Sequence, residues 1–211
     1  PPPPPPFFFH PHDAIRESVA SRGLGDVYKR QERYAISIDS GGPGFHRGGC
    51  GIIRDVRILA DEGTFGLRVE NNIFPTWGVA GGMGGGTSKV IINPGTPHER
   101  EIRAFSDDNV WKRGDLVRVY TAGGGGWGDP LAREPERVLD DVLDGFVSIG
   151  GALDSYGVAI DPVNLGIDLR STAAKRQELQ NSRGPTKLFH RFKYFDTAEE
   201  ELEWVEKNIP R

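Results

Sequence analysis

A single cysteine, Cys50, stands in this sequence of 211 residues. One thiol cannot close an internal disulfide, so the fold must rest on burial, and the shortage fits a reducing, cytoplasmic compartment. Excess positive charge is missing too: 26 Lys and Arg face 30 Asp and Glu, a formal net charge of −4. A nucleic-acid binder needs a basic face for phosphates, and this balance argues against one. No apolar run approaches the ~18 residues a membrane-spanning helix requires. A secretory leader is not visible, because PPPPPPFFF lacks both a basic start and a long apolar region. Hydrophobic residues reach only 36%, yet Val, Ile, Leu and Phe recur in short runs, enough for a core in one or two domains.

The first residues, Pro1 to Gln31, have a different texture. Six prolines followed by three phenylalanines form a homopolymer pattern that can adopt polyproline II but buries nothing. Their end, GLGDVYKRQ, resembles translated adapter read-through at the edge of an assembled fragment; the other reading is a Pro-rich arm that recruits a partner. Residues 1–31 are therefore set apart from fold reasoning, with the natural chain expected to continue upstream of Glu32.

The rest reads as strands first and helices last. RYAISID, Arg33 to Asp39, alternates Tyr34, Ile36 and Ile38 with smaller or polar residues, the pattern of a half-buried strand. Further strands are expected over Ile52–Leu59, Phe65–Asn72, Lys89–Thr96, the REIRAFS stretch and Leu116–Thr121, with turns at Asp61–Gly63 and Arg113–Asp115. Glu134 to Gly145 carries Val138, Leu139, Val142 and Leu143 at helical spacing, with Pro135 in its first turn and Gly145 at its end. A shorter helix is expected in SIGGALDSYG and a polar one over Ser171–Ser182. The RGPTKLFHRFKYF stretch is read as extended. Thr197 and Glu200 form a capping box for a last helix with Ala198, Leu202, Val205 and Ile209 on one face. This order predicts an α+β fold: a mainly antiparallel β unit with glycine-rich loops, followed by C-terminal helices. The expected division is 1–31, 32–165 and a helical extension over 166–211.

What the sequence has in excess is glycine, 29 residues. One cluster holds Gly41, Gly42, Gly44, Gly48, Gly49 and Gly51. A second holds Gly81, Gly82, Gly84, Gly85 and Gly86, and a third Gly123, Gly124, Gly125, Gly126 and Gly128. Glycine costs backbone entropy, so concentrating it implies tight loops or close approach of backbone to a ligand or another chain. A phosphate-binding P-loop would need G-x-x-x-x-G-K-[ST]. GGGGWGDP has no Lys and no Ser or Thr, its Asp129 repels phosphate, and Pro130 removes a donor. A dinucleotide fingerprint must open directly into a helix of a βαβ unit, and DPLAREP intervenes. Close packing is the favoured reading, with Trp127 anchoring the loop by burial.

Side chains with chemistry are few. Arg47 is a candidate anion clamp because its fork can bind a carboxylate bidentately, and His46 a candidate general acid or base. The plainer readings are a salt bridge to a loop carboxylate and a surface ring. Cys50 reads as a small buried hydrophobe. His46 and His98 are separated by a strand-rich stretch without spaced carboxylates, so no metal site is expected here. Asp140, Asp141 and Asp144 read as a solvated helix face.

Three motifs in order resemble one family: G-G-x-G-x-x-R-G-G-x-G at Gly41–Gly51, N-P-G at Asn93–Gly95, and G-D-x-V-x-x-x-T-x-G-G-G-G-W-G-D-P at Gly114–Pro130. Together, from Arg33 to Asp161, they resemble the C-terminal part of the hydantoinase B / oxoprolinase family, to which the acetone carboxylase α subunit is related. The resemblance implies ATP-dependent opening of a five-membered cyclic amide, such as a hydantoin or 5-oxoproline, with an A-type partner subunit that carries ATP. Ketone carboxylation and a non-catalytic assembly role are the alternatives. Any divalent metal is expected in an upstream part, and this stretch alone is expected to be inactive. His46 and Arg47 are the candidate catalytic residues. Gly41, Gly42, Gly44, Gly48, Gly49, Gly123, Gly124, Gly125, Gly126 and Asp129 are the candidate loops for approach of ligand or subunit. Asp168 to Arg211 lies outside the resemblance, as a partner-docking extension or a helix packed on its own domain.

Overall fold

The computed structural model describes residues 29–183, Phe189–His190, Glu203 and Lys207. They divide into two compact units, each discontinuous in sequence. The first holds the described residues up to Ile36, then Ile52–Glu70 and Ser88–Thr121; the second holds Ser37–Gly51, Asn71–Thr87 and the described residues from Ala122 onward.

The first unit is all β. Strands β1 (Lys29–Ile36), β2 (Ile52–Ile58), β5 (Lys89–Ile92), β6 (Arg100–Ile102) and β8 (Leu116–Tyr120) form one sheet in the order β1-β2-β8-β5-β6. Strands β3 (Glu62–Arg68) and β7 (Phe105–Lys112) form a separate two-stranded ribbon. Each pairing in the unit is antiparallel. Because side chains alternate across a strand, the register places Val56, Val117 and Ile92 in one row of a face and Val119, Val90 and Ile102 in the next, with Ile58 further along β2 on the same face. Ile58, Val90, Ile92, Ile102 and Val117 are buried there, packed with Phe65, Leu67 and Trp111. The Phe65 and Trp111 rings stack with centroids 4.9 Å apart. Each fully buried aliphatic of this kind contributes about 1.5–3 kcal/mol. The opposite face is charged: Arg118 forks onto Asp55 through two bonds of 2.7 Å.

The strand expected to start at Arg33 runs from Lys29, pairing Lys29 with Ile58. Tyr34 and Ile36 alternate as expected but are 53% and 41% exposed, and Ile38, beyond the strand, is also exposed. Alternation identified the strand, but burial needs a layer above it, and β1 is an edge strand. The REIRAFS stretch is two strands, β6 and the start of β7, divided at Arg103–Ala104. The turn expected at Asp61–Gly63 lies earlier, because Glu62 and Gly63 already pair with Lys112 and Trp111. Strand β3 therefore ends at Arg68, short of Asn72.

The second unit carries the helices. Helix α1 spans Pro135–Leu143, α2 Ile149–Tyr156 and α3 Leu169–Ser182. Pro135 starts α1 and Gly145 adopts φ 75° beyond its end. Ser148 caps α2, accepting from the Gly151 N–H, and Gly157 closes it in the left-handed region. Asp168 caps α3 through the N–H groups of Arg170 and Ser171, which moves its start two residues ahead of the expected Ser171. Val138, Val147, Ala152, Tyr156, Val158 and Ile160 form the core of this unit. Leu143, expected on the apolar face of α1, is exposed. Strands β4 (Gly78–Val79) and β9 (Phe189–His190) pair antiparallel. The remainder of the basic stretch around β9, and the last helix apart from Glu203 and Lys207, lie outside the described residues. The fold is thus α+β with antiparallel sheets and C-terminal helices. Among the described residues no helix is long and apolar enough to cross a membrane.

Candidate functional site

The three glycine clusters meet in the second unit, backbone against backbone. The Gly42 N–H donates to the Gly124 carbonyl at 2.8 Å, and the Gly124 N–H to Gly49 at 2.8 Å. Gly86 donates to Ser40 at 2.7 Å, Gly123 to Gly86 at 3.0 Å, and Gly126 to Met83 at 2.9 Å. A side chain on Gly48 would run into the Gly124 carbonyl, and one on Gly125 into that of Trp77. These glycines are required by close approach of chain segments. Along the loop, the N–H groups of Gly123, Gly124, Gly126, Trp127 and Gly128 all donate to backbone carbonyls. A phosphate cradle needs such groups free and convergent. This loop does not fit a nucleotide phosphate.

The end of the loop differs from expectation in two ways. Trp127 is 53% exposed, so burial does not anchor it. Its backbone does: Trp127 and His46 exchange two hydrogen bonds of 2.9 Å, and the Gly128 N–H donates to Val79. Backbone pairing holds the residue, leaving its indole outside. Second, a 3-10 turn, Pro130–Ala132, follows at once, with the Asp129 side chain accepting from the Leu131 N–H. Asp129 also meets Arg183 at 3.0 Å. Its carboxylate serves as a cap and an ion-pair partner.

His46 is exposed. Its ring lies edge-on to Phe45 with centroids 4.9 Å apart and tilted against Trp127 at 5.5 Å. Arg47 is turned inward. Its Nε donates to Asp141 Oδ1 at 3.2 Å, its Nη1 to the Gly48 carbonyl at 2.7 Å, and its guanidinium lies 4.7 Å from the Phe146 ring centroid. Cys50, half-buried, sits 3.4 Å from the same Nη1.

Asp141 overturns the reading of Asp140, Asp141 and Asp144 as one solvated face: it is 8% exposed. Besides Arg47 it accepts from Arg133 Nη2 at 2.8 Å, while Arg133 Nη1 donates to the Phe45 carbonyl at 2.8 Å. Helical spacing shows which residues share a face. It does not show that an arginine 94 positions upstream arrives there. Tyr156 lies in the same interior, 1% exposed. Burial, and then the Asp141 charge, push its phenol from 10.0 up to about 12. The Arg133 charge, then the Arg47 charge and the Gly44 amide, offset part of this, but no hydrogen bond of normal geometry forms to the hydroxyl. Arg176 on α3 donates to the carbonyls of Tyr156 at 3.1 Å and Arg133 at 2.6 Å, tying the polar helix to this interior.

Among the described residues no group of three or more His, Cys, Asp or Glu side chains is placed to hold a metal ion. The three glycine loops form an assembly joined by backbone hydrogen bonds, with the His46 and Trp127 side chains exposed.

An antiparallel α+β chain whose loops are locked by backbone contact is the class this geometry defines. Residues 29–130 match the family model described as hydantoinase B/oxoprolinase, and this stretch belongs to that family. The chain is 36% identical over 132 residues to a Pseudomonas sp. (strain NS671) protein provisionally named as the B-type subunit of a D-/L-hydantoinase, covering 62% of this chain and 22% of that protein. It is 36% identical over 152 residues to the beta-type subunit of the Pseudomonas jessenii caprolactamase, covering 68% of this chain and 25% of the relative. Among solved structures, nucleotide-free acetone carboxylase aligns with TM-score 0.64 at 25% identity, over 85% of this chain and 27% of that one. The ATP-dependent caprolactamase of Pseudomonas jessenii aligns with TM-score 0.60 at 31% identity, over 69% of this chain and 26% of that one. The chain thus spans about a quarter of the length of each of these relatives.

Proposed function

We propose that this chain is part of a B-type subunit that, with an A-type companion, carries out ATP-dependent ring opening of a cyclic amide. The reading rests on the family match over residues 29–130, which contains all three glycine clusters. A ring amide resists attack because resonance protects its carbonyl. Phosphorylation of the carbonyl oxygen supplies a leaving group and an electrophilic carbon, which water then attacks. In this reading ATP is held by the companion, in keeping with a glycine loop here in which the N–H groups of Gly123, Gly124, Gly126, Trp127 and Gly128 already donate to backbone carbonyls. Any divalent metal would be held by residues outside this chain. His46 is the group offered to substrate or companion, and Arg47 holds its loop. A five-membered ring such as a hydantoin or 5-oxoproline is the proposed substrate class.

The test is to produce the longer B-type protein with its companion and follow ATP turnover against hydantoins, 5-oxoproline and caprolactam. Stimulation by a hydantoin or 5-oxoproline is expected; stimulation by caprolactam alone would overturn the five-membered ring, and none across the panel would sink the proposal. A second reading, ketone carboxylation, is favoured by the broader structural match to acetone carboxylase, 85% of this chain. Turnover that requires bicarbonate and a ketone would select it. A non-catalytic assembly role would show instead as turnover indifferent to His46 and Arg47, with the complex lost when Gly124 or Gly125 is made bulky.

A further inference from the structure

His46 is exposed, yet the backbone on both sides of it is tied to a single buried carboxylate. On one side, Arg133 Nη1 donates to the Phe45 carbonyl at 2.8 Å while its Nη2 donates to Asp141 Oδ2 at 2.8 Å. On the other, Arg47 Nε donates to Asp141 Oδ1 at 3.2 Å while its Nη1 donates to the Gly48 carbonyl at 2.7 Å. The Arg47, Arg133 and Asp141 side chains are 15%, 11% and 11% exposed. We propose that Asp141 is the positioning residue for His46, fixing the imidazole against Trp127 through these two arginines. The proposal rests on the reading of His46 as a working group of the site.

The physical reason lies in how much freedom the segment would otherwise have. His46 sits in Gly41–Gly51, where six glycines leave the backbone many conformations. A side chain is aimed only as well as its backbone is held, and placement errors on the scale of an ångström can cost roughly a hundredfold in rate. Three restraints converge on this residue: the Trp127 backbone pairing, the Arg133 arm at Phe45 and the Arg47 arm just beyond it. Two of the three end on Asp141. Its charge also lies between two partly buried guanidinium groups that would repel each other without it. Replacing the carboxylate by an amide therefore loosens both arms together.

A carboxylate that merely held α1 in its core would affect stability and nothing else. Asp55 supplies the comparison, since it is a buried carboxylate paired with Arg118 in the first unit. Nuclear magnetic resonance of the 211-residue chain separates the two roles without requiring turnover. In the wild type, the His46 ring protons are expected at ring-current-shifted positions, with cross-relaxation to the Trp127 indole. Asp141→Asn should move those signals towards free imidazole and weaken the cross-relaxation. Arg133→Met, which removes only the Phe45 arm, should give a smaller displacement. Asp55→Asn should lower the melting temperature and leave the His46 signals in place. Unchanged His46 signals in folded Asp141→Asn would overturn the proposal, as would an equal displacement in Asp55→Asn. If Asp141→Asn does not fold, unchanged signals in folded Arg133→Met overturn it instead. In the longer subunit with its companion, Asp141→Asn should lower kcat roughly tenfold or more while KM for ATP holds. Displaced His46 signals beside an undiminished kcat would overturn the functional half of the claim. The resonance result stands or falls independently of which substrate, if any, drives turnover.

Discussion

Gly123 lies so close to Ser40 that a Cβ on the glycine would overlap the Ser40 carbonyl oxygen. The obstruction is backbone, which cannot swing aside as a side-chain tip can. Gly123→Ala should therefore destabilise the chain by about 1–3 kcal/mol or more, read from denaturant midpoints. Gly49 offers the control, because nothing lies within 4 Å of its Cβ position. Gly49→Ala should fall within about 0.5 kcal/mol of wild type. Equal effects at the two positions would mean that close packing is not why the glycines are there.

Tyr156 gives a second test. Its hydroxyl is buried without a hydrogen-bond partner among the described residues. An unsatisfied buried hydroxyl carries a desolvation cost, so Tyr156→Phe should be neutral or stabilise by up to about 1 kcal/mol. The raised phenol also sets a pH window. The unfolded chain ionises Tyr156 near 10 and the folded one near 12, so this contribution is complete below pH 10.0 and lost as pH rises through about 12. Absorbance titration should show one late tyrosinate that disappears in Tyr156→Phe. A Tyr156→Phe chain that retains the late step would refute the assignment.

Glu32 works in the acid range. A break in the register of β1 between Gln31 and Arg33 accompanies its pairing with Arg57 at 2.8 Å and Arg30 at 2.7 Å. Hydrogen bonding from Arg57, then from Arg30, lowers its carboxyl from 4.5 to about 2. The sign is that of a depressed carboxylate: the stabilisation is full above pH 4.5 and is lost as pH falls through about 2. Unfolding midpoints at about pH 5 and about pH 2.5 should converge in Glu32→Gln relative to wild type. An identical acid dependence in the two proteins would rule Glu32 out as its source.

The first unit has an open apolar pocket of about 520 Å³ lined by Val56, Ile58, Val119, Phe65, Leu67 and Trp111, among others. Adding one methylene to a wall that faces open space buries apolar surface without overpacking. Val119→Ile should therefore raise stability by up to about 0.8 kcal/mol. Calorimetric melting measures it, and a drop would show that the wall has no such room.

The sequence declared its punctuation well and its long-range contacts poorly. Pro135, Gly145 and Gly157 mark helix ends because local backbone geometry alone demands them there. The glycine motifs announced close approach, and close approach is what they do. The exposure of Tyr34 and Ile36 was hidden, since alternation reports a strand and not whether a second layer covers it. Trp127 misled for a related reason: a large aromatic suggests burial, while two backbone hydrogen bonds did the anchoring. The role of Asp141 is the least legible in the sequence. Its partners are Arg133, eight residues upstream across the start of α1, and Arg47, 94 residues away, and neither spacing belongs to a helical face.

Where one glycine fills the space beside another segment's carbonyl, evolution has no second move. A cramped core can be rescued by trimming the neighbouring side chain, but a main-chain oxygen cannot be trimmed. Suppressor selections starting from Gly123→Ala or Gly125→Ala should thus return reversions or distant global stabilisers, and no compensating change at Ser40 or Trp77, whose offending atoms every residue shares.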